Sequence, residues 1–330
     1  MHAYSQNHLD CTLEMRTTSF QSRGKESSQI IPIPTQLNDF RILRPLGQGG
    51  SARVFLAETT RNNLPSSRVA LKVMVPDNLG TNYSMLRNEA EILRPVSHPN
   101  IIKFHSVGQH HELMYGVLDY VQGWSIKALL KRTHKIPLSA CVDIGLQLCS
   151  ALNYLHHPVD ERLSNATVHC DIKPGNILID RFGRVRLIDF GIACKSGQRE
   201  TGNTSYGTAA YMAPEQVTKD RIDGRTDLFS LGVMLYEMAT GTRLFPGSDI
   251  PTLLRERLHA TSLPKTGLLH AMWGAPLHHF MRTLQQCIQC DPNERIPSSR
   301  HLAESLAWVA HRASPGPSCE QWMQTITQAR

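Results

Sequence analysis

The sequence runs to 330 residues with a formal net charge of +7 and 19% charged residues, an ordinary composition for a soluble enzyme and enough chain for one large bilobal unit or two domains. No apolar run approaches the roughly 18 to 20 residues of a membrane helix, and no basic segment followed by an apolar core opens the chain, so no membrane segment is expected and the setting reads as cytoplasmic. Lys and Arg are scattered, without a run of five, which excludes a nucleic-acid-binding stripe and leaves a solvated basic surface.

Residues 1–38 are rich in Ser, Thr, Gln and Asn, end in IIPIPTQLN and read as a flexible polar leader. From Phe40 short strands follow one another: FRILRPLG, ARVFLAE and RVALKVM, then a helix around residues 82–94, then HPNIIKF and MYGVLDY. Five strands and one helix make a small lobe. From about Ser125 the pattern turns helical, and SACVDIGLQLCSALNYLHH repeats apolar residues at three and four with Ser139 placed to cap. Asn176 to Ile188 reads as a hairpin around Asp180–Gly183. Residues 227–241 are apolar on nearly every face and stop at Gly241, the pattern of a buried central helix. Beyond Ser314, PGP with Trp322 and Ile326 fits a small docking helix or a loose tail.

Eight cysteines (Cys11, Cys141, Cys149, Cys170, Cys194, Cys287, Cys290 and Cys319) are spread through the chain without an export signal and read as reduced thiols. Cys287 and Cys290 form the one CxxC. With no second ligand pair at zinc spacing, they read as two thiols in a helix.

Three groups of chemically active residues stand out. Gly47-Gln48-Gly49-Gly50-Ser51-Ala52 lies between two strands, where glycines allow a tight turn whose backbone N–H groups approach phosphate; with no helix after it and no GK[ST] ending, it is neither a Rossmann nor a Walker loop. Ala70 and Lys72 share one face of their strand by period two, and Glu89 on the next helix is the acid placed to meet Lys72. His169-Cys-Asp171-Ile-Lys173-Pro-Gly-Asn176 collects an acid, an ammonium and a carboxamide, and is followed by Asp189-Phe190-Gly191 and Ala213-Pro214-Glu215.

HxDxKxxN, DFG and APE in that order, behind a Gly-rich loop and a strand lysine, resemble the eukaryotic-type (Hanks-type) protein kinases over about residues 40–310, with YMAPEQ most similar to their bacterial serine/threonine branch. The resemblance implies an α+β bilobal fold: a small antiparallel β-sheet lobe with one helix at about 39–121, a larger and mainly helical lobe at about 122–312, and a tail at 313–330. It implies transfer of the ATP γ-phosphate to Ser/Thr hydroxyls of protein substrates, with ATP and Mg2+, or Mn2+ in its place. Asp171 is the implied base, Lys173 touches the γ-phosphate, Lys72 holds the α and β phosphates and pairs with Glu89, and Asn176 and Asp189 bind the metal. ATP contacts are implied for Leu46, Gly47, Gln48, Gly49, Gly50, Ser51, Val54, Ala70, Lys72 and Leu178, and for Asp119 and Val121 of the hinge. Thr208 and Glu215 belong to the substrate platform, and Lys173 with Thr208 favours Ser/Thr acceptors. Asp227 resembles the acid that ties the buried helix to the catalytic loop, and Arg295 the partner of Glu215.

The departures are informative. Ala52 replaces the third loop glycine, and HPVDERLSNATV before His169 is longer than the family norm. Cys170 replaces the arginine of HRD, and Cys194 replaces the second basic residue with which regulated relatives clamp a phosphorylated loop. A thiol supplies no cation, so activity is not expected to depend on phosphorylation at Ser196, Thr201, Thr204 or Ser205, although those residues can be phosphorylated. A pseudokinase is disfavoured because Lys72, Asp171 and Asp189 are all present, and a small-molecule kinase because it lacks the GTAAYMAPE platform.

Overall fold

The structure, a computed structural model, describes residues 33–59, 67–77, 80–158, 166–198, 209–247, 252, 256, 267–313 and 316–328. Six strands open it: β1 (Gln36–Leu37), β2 (Phe40–Gln48), β3 (Ala52–Thr59), β4 (Arg68–Met74), β5 (Phe104–His110) and β6 (Leu113–Asp119), with α1 (Thr81–Leu93) between β4 and β5. They form one antiparallel sheet in the order β1-β2-β3-β4-β6-β5. In β4 the period of two sorts the side chains, so Val69, Leu71 and Val73 are buried while Ala70 and Lys72 are half-buried on the other face. On α1 the buried stripe is Leu86, Glu89, Ala90 and Leu93, which places a carboxylate in an apolar row.

The larger lobe contains β7 (Gly123–Ser125), α2 (Ile126–Thr133), α3 (Leu138–His156), β8 (Thr167–Val168), β9 (Ile177–Asp180), β10 (Val185–Leu187), β11 (Cys194–Lys195), α4 (Pro214–Thr218), α5 (Gly224–Thr240), α6 (Gly267–Cys287), α7 (Ser299–Arg312) and α8 (Cys319–Gln328). Two small sheets, β10-β9-β7 and β11-β8, lie among the helices. The predicted hairpin is β9–β10, and the predicted central helix is α5, whose apolar residues are buried and whose end at Gly241 adopts φ 75°.

Several expectations change. Residues 36–37 pair with β2 instead of belonging to the leader, and Leu37 is fully buried opposite Phe40, so the small lobe has six strands. HPNIIKF is mostly not a strand: Ile101 makes an isolated parallel bridge to Leu187, and β5 begins only at Phe104. Ser139 does not cap α3, because Pro137 is already the capping residue and the Ser139 hydroxyl donates to the Pro317 carbonyl at 2.7 Å. Cys287 ends α6 and Cys290 lies beyond it, so the CxxC is not within one helix.

Among the described residues α3 is long and apolar enough to cross a membrane, contrary to the sequence reading; it is a buried core helix, apolar because most of its faces are covered. The C-terminal segment forms a docking helix: Cys319, Trp322, Met323 and Ile326, spaced at three and four, bury one face of α8, and the Cys319 N–H donates to Asp143 of α3 at 2.9 Å.

The β7–β9 pairing allows no side chain at residue 123, since a Cβ on Gly123 would lie 2.1 Å from the Ile179 carbonyl oxygen. Gly123→Ala is expected to cost roughly 1–3 kcal/mol and lower the thermal midpoint by several degrees. Gly50→Ala, where a Cβ meets nothing within 4 Å, should melt like wild type. Equal midpoints for the two variants would show that β7 does not hold this register.

Candidate active site

β4 and α1 bring Lys72 and Glu89 together, and the turn after β10 adds Asp189. Lys72 Nζ lies 2.6 Å from Glu89 Oε2 and 2.7 Å from Asp189 Oδ1. Glu89 Oε1 accepts the Phe190 N–H at 3.1 Å, so one buried carboxylate holds both the lysine and the DFG backbone. Burial alone would lower the Lys72 pKa, but the charges of Asp189 and Glu89 outweigh it and hold the ammonium above its ordinary range. The Lys72 charge depresses Asp189 to about 2. Asp189 adopts φ 67°, a left-handed conformation that Asp tolerates better than bulkier residues, while Phe190 is fully buried with its ring edge-on to His169 at 4.5 Å.

The residues between β8 and β9 carry the second group. Asp171 Oδ2 accepts from Lys173 Nζ and Asn176 Nδ2, each at 2.7 Å, and Asn176 Nδ2 also donates to the Asp171 carbonyl at 3.0 Å. Asp171 Oδ1 is buried and has no hydrogen-bond partner among the described residues. Burial raises the Asp171 pKa, Lys173 opposes that rise and the Asp189 charge adds to it. His169 is also fully buried: its Nδ1 accepts the Asp171 N–H at 3.2 Å and its Nε2 faces the Ile188 carbonyl at 3.2 Å. One ring nitrogen thus accepts and the other donates, the pattern of a neutral imidazole, and burial lowers its pKa accordingly.

The supporting shell contains partners expected from the sequence and others that were not. Asp227, in the first turn of α5, accepts the N–H groups of His169 and Cys170, both at 2.9 Å, which is the tie expected of it. Arg295 meets Glu215 through two bonds of 2.7 Å. Sequence reasoning missed His156, whose Nε2 lies 2.8 Å from Asp227 Oδ2, and Gln216, whose side chain accepts the Ala213 N–H and donates to the Cys170 carbonyl. Neither stands out in the sequence, since Gln216 lies among the polar residues of PEQVT and His156 is followed by His157.

Val54 pairs with Lys72 across β3 and β4, so Val54, Ala70 and Lys72 share a face, and Leu178 is half-buried on β9. Asp119 ends β6 with its carboxylate 2.7 Å from His105 Nε2, and Val121 follows it on the chain. Leu46, Gly47 and Gln48 close β2, and Gly49, Gly50 and Ser51 make the turn. None of these three glycines has positive φ, and a Cβ at Gly47 or Gly50 would meet nothing within 4 Å, so the turn itself does not require them. Open space over a backbone strip is what a close-approaching phosphate needs. Ser196 follows β11, whereas Thr201, Thr204, Ser205 and Thr208 lie outside the described residues, as does most of the stretch before His169.

A family model described as protein kinase domain matches residues 40–307. The chain is 33% identical over 275 residues to a Clostridium perfringens protein named probable serine/threonine-protein kinase, covering 82% of this chain and 38% of that protein. It is 31% identical over 294 residues to serine/threonine-protein kinase PknB of Mycobacterium tuberculosis, covering 86% and 44%, and 27% identical over 287 residues to tyrosine-protein kinase MasK of Myxococcus xanthus, covering 84% and 44%. The chain thus spans less than half the length of these relatives.

The Glu215–Arg295 pair is almost wholly buried, with side-chain exposures of 6% and 0%. Arg295→Ala would strand the carboxylate, so a loss of roughly 3–5 kcal/mol in denaturant unfolding is expected, and replacing both partners by apolar residues (Arg295→Met with Glu215→Leu) should recover much of it. A small loss for Arg295→Ala alone would contradict the pair's structural role.

Proposed function

This chain belongs to the protein kinase family, and on that premise we propose that it transfers the γ-phosphoryl group of ATP to serine and threonine hydroxyls of protein substrates. The observation that carries the reading is the convergence of Lys72, Glu89 and Asp189 with an Asp171 whose buried Oδ1 is left open to accept a proton. The transferred group needs in-line positioning and charge neutralisation more than covalent chemistry, and this arrangement offers both.

Asp171 Oδ2 is fixed by Lys173 and Asn176, so Oδ1 orients the acceptor hydroxyl and takes its proton. Lys72, held by two carboxylates, and Lys173 supply positive charge to the phosphates, while the turn at Gly47–Ser51 offers backbone N–H groups. The half-buried Val54, Ala70 and Leu178 offer the adenine an apolar wall, with Asp119 and Val121 beside it. The Asp189 carboxylate and the Asn176 carboxamide, whose NH2 is committed to Asp171 so that its carbonyl oxygen is left to ligate, are hard oxygen donors that fit Mg2+ or Mn2+. When bound there, the ion neutralises β- and γ-phosphate charge. Thr208 and Glu215 are assigned to the substrate platform, and an ATP-containing compartment such as the cytoplasm is the setting this chemistry requires.

Incubation with labelled ATP and a general protein substrate, followed by phosphoamino-acid analysis, should give phosphoserine or phosphothreonine; dominant phosphotyrosine would overturn the acceptor assignment, a real alternative given that one relative is named a tyrosine kinase. Asp171→Asn should cut turnover by roughly 10²- to 10⁴-fold while nucleotide still binds, and near-normal turnover would remove Asp171 from its role.

A pH profile tests the same residue independently. Only the carboxylate accepts a proton, and burial raises the Asp171 pKa above its ordinary 3.8, so the acid limb of kcat/KM should fall above that value. Because Lys173 opposes the rise, Lys173→Met should move the limb to still higher pH, apart from any loss of rate. A limb that stays put or moves down would mean that another group controls it.

A further inference from the structure

The two cysteines that replace the family's phosphate-clamping basic residues are in contact. Cys170 Sγ lies 3.6 Å from Cys194 Sγ. The antiparallel β8–β11 pairing sets Cys194 opposite Val168, and Cys170 lies two residues beyond Val168, past the end of β8, where the backbone turns at φ 65°. Val168, Cys170 and Ile222 are buried in a small apolar cluster of their own, against which Ile192 and Cys194 pack.

The two thiols are held differently. Cys170 is buried, and its backbone is pinned by the bonds from its N–H to Asp227 and from Gln216 to its carbonyl. Cys194 is half-buried and sits in a strand of two residues. Closing the gap to the ~2 Å of a disulfide therefore falls on the Cys194 side and leaves the catalytic loop in place. The thiols of Cys141 and Cys149 are buried away from solvent, and burial pushes Cys287 up to about 12, so these compete poorly for an oxidant.

We propose that Cys170 and Cys194 form a redox pair which hydroperoxides convert to a disulfide, fastening the start of the activation segment to the catalytic loop in place of a phosphate clamp. The more accessible Cys194 sulfur attacks a peroxide oxygen, the O–O bond breaks, one water leaves and a sulfenic acid forms. The Cys170 sulfur then attacks the Cys194 sulfur, the S–O bond breaks, and the second water leaves with the thiol proton. In sum, two thiols and one H2O2 give one disulfide and two waters, with two electrons passing from sulfur to oxygen. A dithiol reductant reverses the change.

The tie covalently secures a contact already present in an arrangement where Lys72, Glu89 and Asp189 are assembled, so oxidation favours that arrangement. The consequence for rate rests on the kinase reading, whereas the linkage does not. Treating the whole chain with a small excess of H2O2 should lower its intact mass by two hydrogens and yield, without reduction, one linked peptide pair containing Cys170 and Cys194, reversed by dithiothreitol. Turnover of a protein substrate should rise roughly 5-fold or more on oxidation and return on reduction. Cys194→Ser and Cys194→Ala should show neither linkage nor rate response. Absence of the linked pair overturns the proposal, as does a linked enzyme whose turnover falls. Linkage is read by mass alone, so a chain that cross-links reversibly yet phosphorylates nothing in either state contradicts the kinase reading and supports the thiol pair.

Discussion

A carboxylate with no exposure to water holds the segment between β8 and β9 in shape. Asp227 is completely buried, and such an anion is tolerable only when donors surround it. Two of its donors are consecutive backbone N–H groups, those of His169 and Cys170, and the third is His156. Presenting two successive N–H groups to one carboxylate goes with a turned backbone, and Cys170 accordingly sits at φ 65°. From that turn His169 extends to the Ile188 carbonyl just before the DFG residues, and Asp171 extends to Lys173 and Asn176. The position of the carboxylate in the first turn of α5 adds the favourable end of the helix dipole.

Charge in the site is arranged as a chain of alternating signs. Glu89, Lys72 and Asp189 form one segment, with Lys173 and Asp171 beside it. The Lys72 ammonium depresses Asp189 against the opposing effect of burial, whereas burial prevails at Asp171 and raises it. Two aspartates near each other thus acquire opposite tendencies: one stays an anion throughout, the other is readier to take a proton.

Much of this was legible in the sequence, and the failures have physical reasons. Lys72 and Glu89 could be paired because a period of two fixes the strand face and a period of three and four fixes the helix stripe. Asp171, Lys173 and Asn176 are too close along the chain to separate. Asp227 and Arg295 could be assigned by resemblance, whereas His156 and Gln216 could not, since neither stands out from the polar residues around it. β1 was missed because a strand of two residues is defined by the strand it pairs with, not by its own pattern. Ser139 failed as a cap because Pro137 starts the helix earlier, and Leu138–His156 shows how a core helix can match the composition of a membrane span. The contact between Cys170 and Cys194 rests on a ladder of two residue pairs, too short to leave a pattern in the sequence.

The helix α8 shifts where this domain physically ends. The family match stops at residue 307, yet Trp322, Met323 and Ile326 are packed into the same core as α3, and a Cβ on Gly183 at the tip of the β9–β10 hairpin would strike the backbone of Glu320 at 2.5 Å. Each buried side chain of that size represents roughly 1.5–3 kcal/mol of burial. A chain cut at the homology boundary would keep Lys72, Glu89, Asp171, Asn176 and Asp189 and still expose an apolar strip along α3 and behind the hairpin that carries Leu178, inviting self-association. For this protein the recognisable domain and the cooperative folding unit have different C-terminal limits, and expression at the shorter one would report on the missing helix before it reported on catalysis.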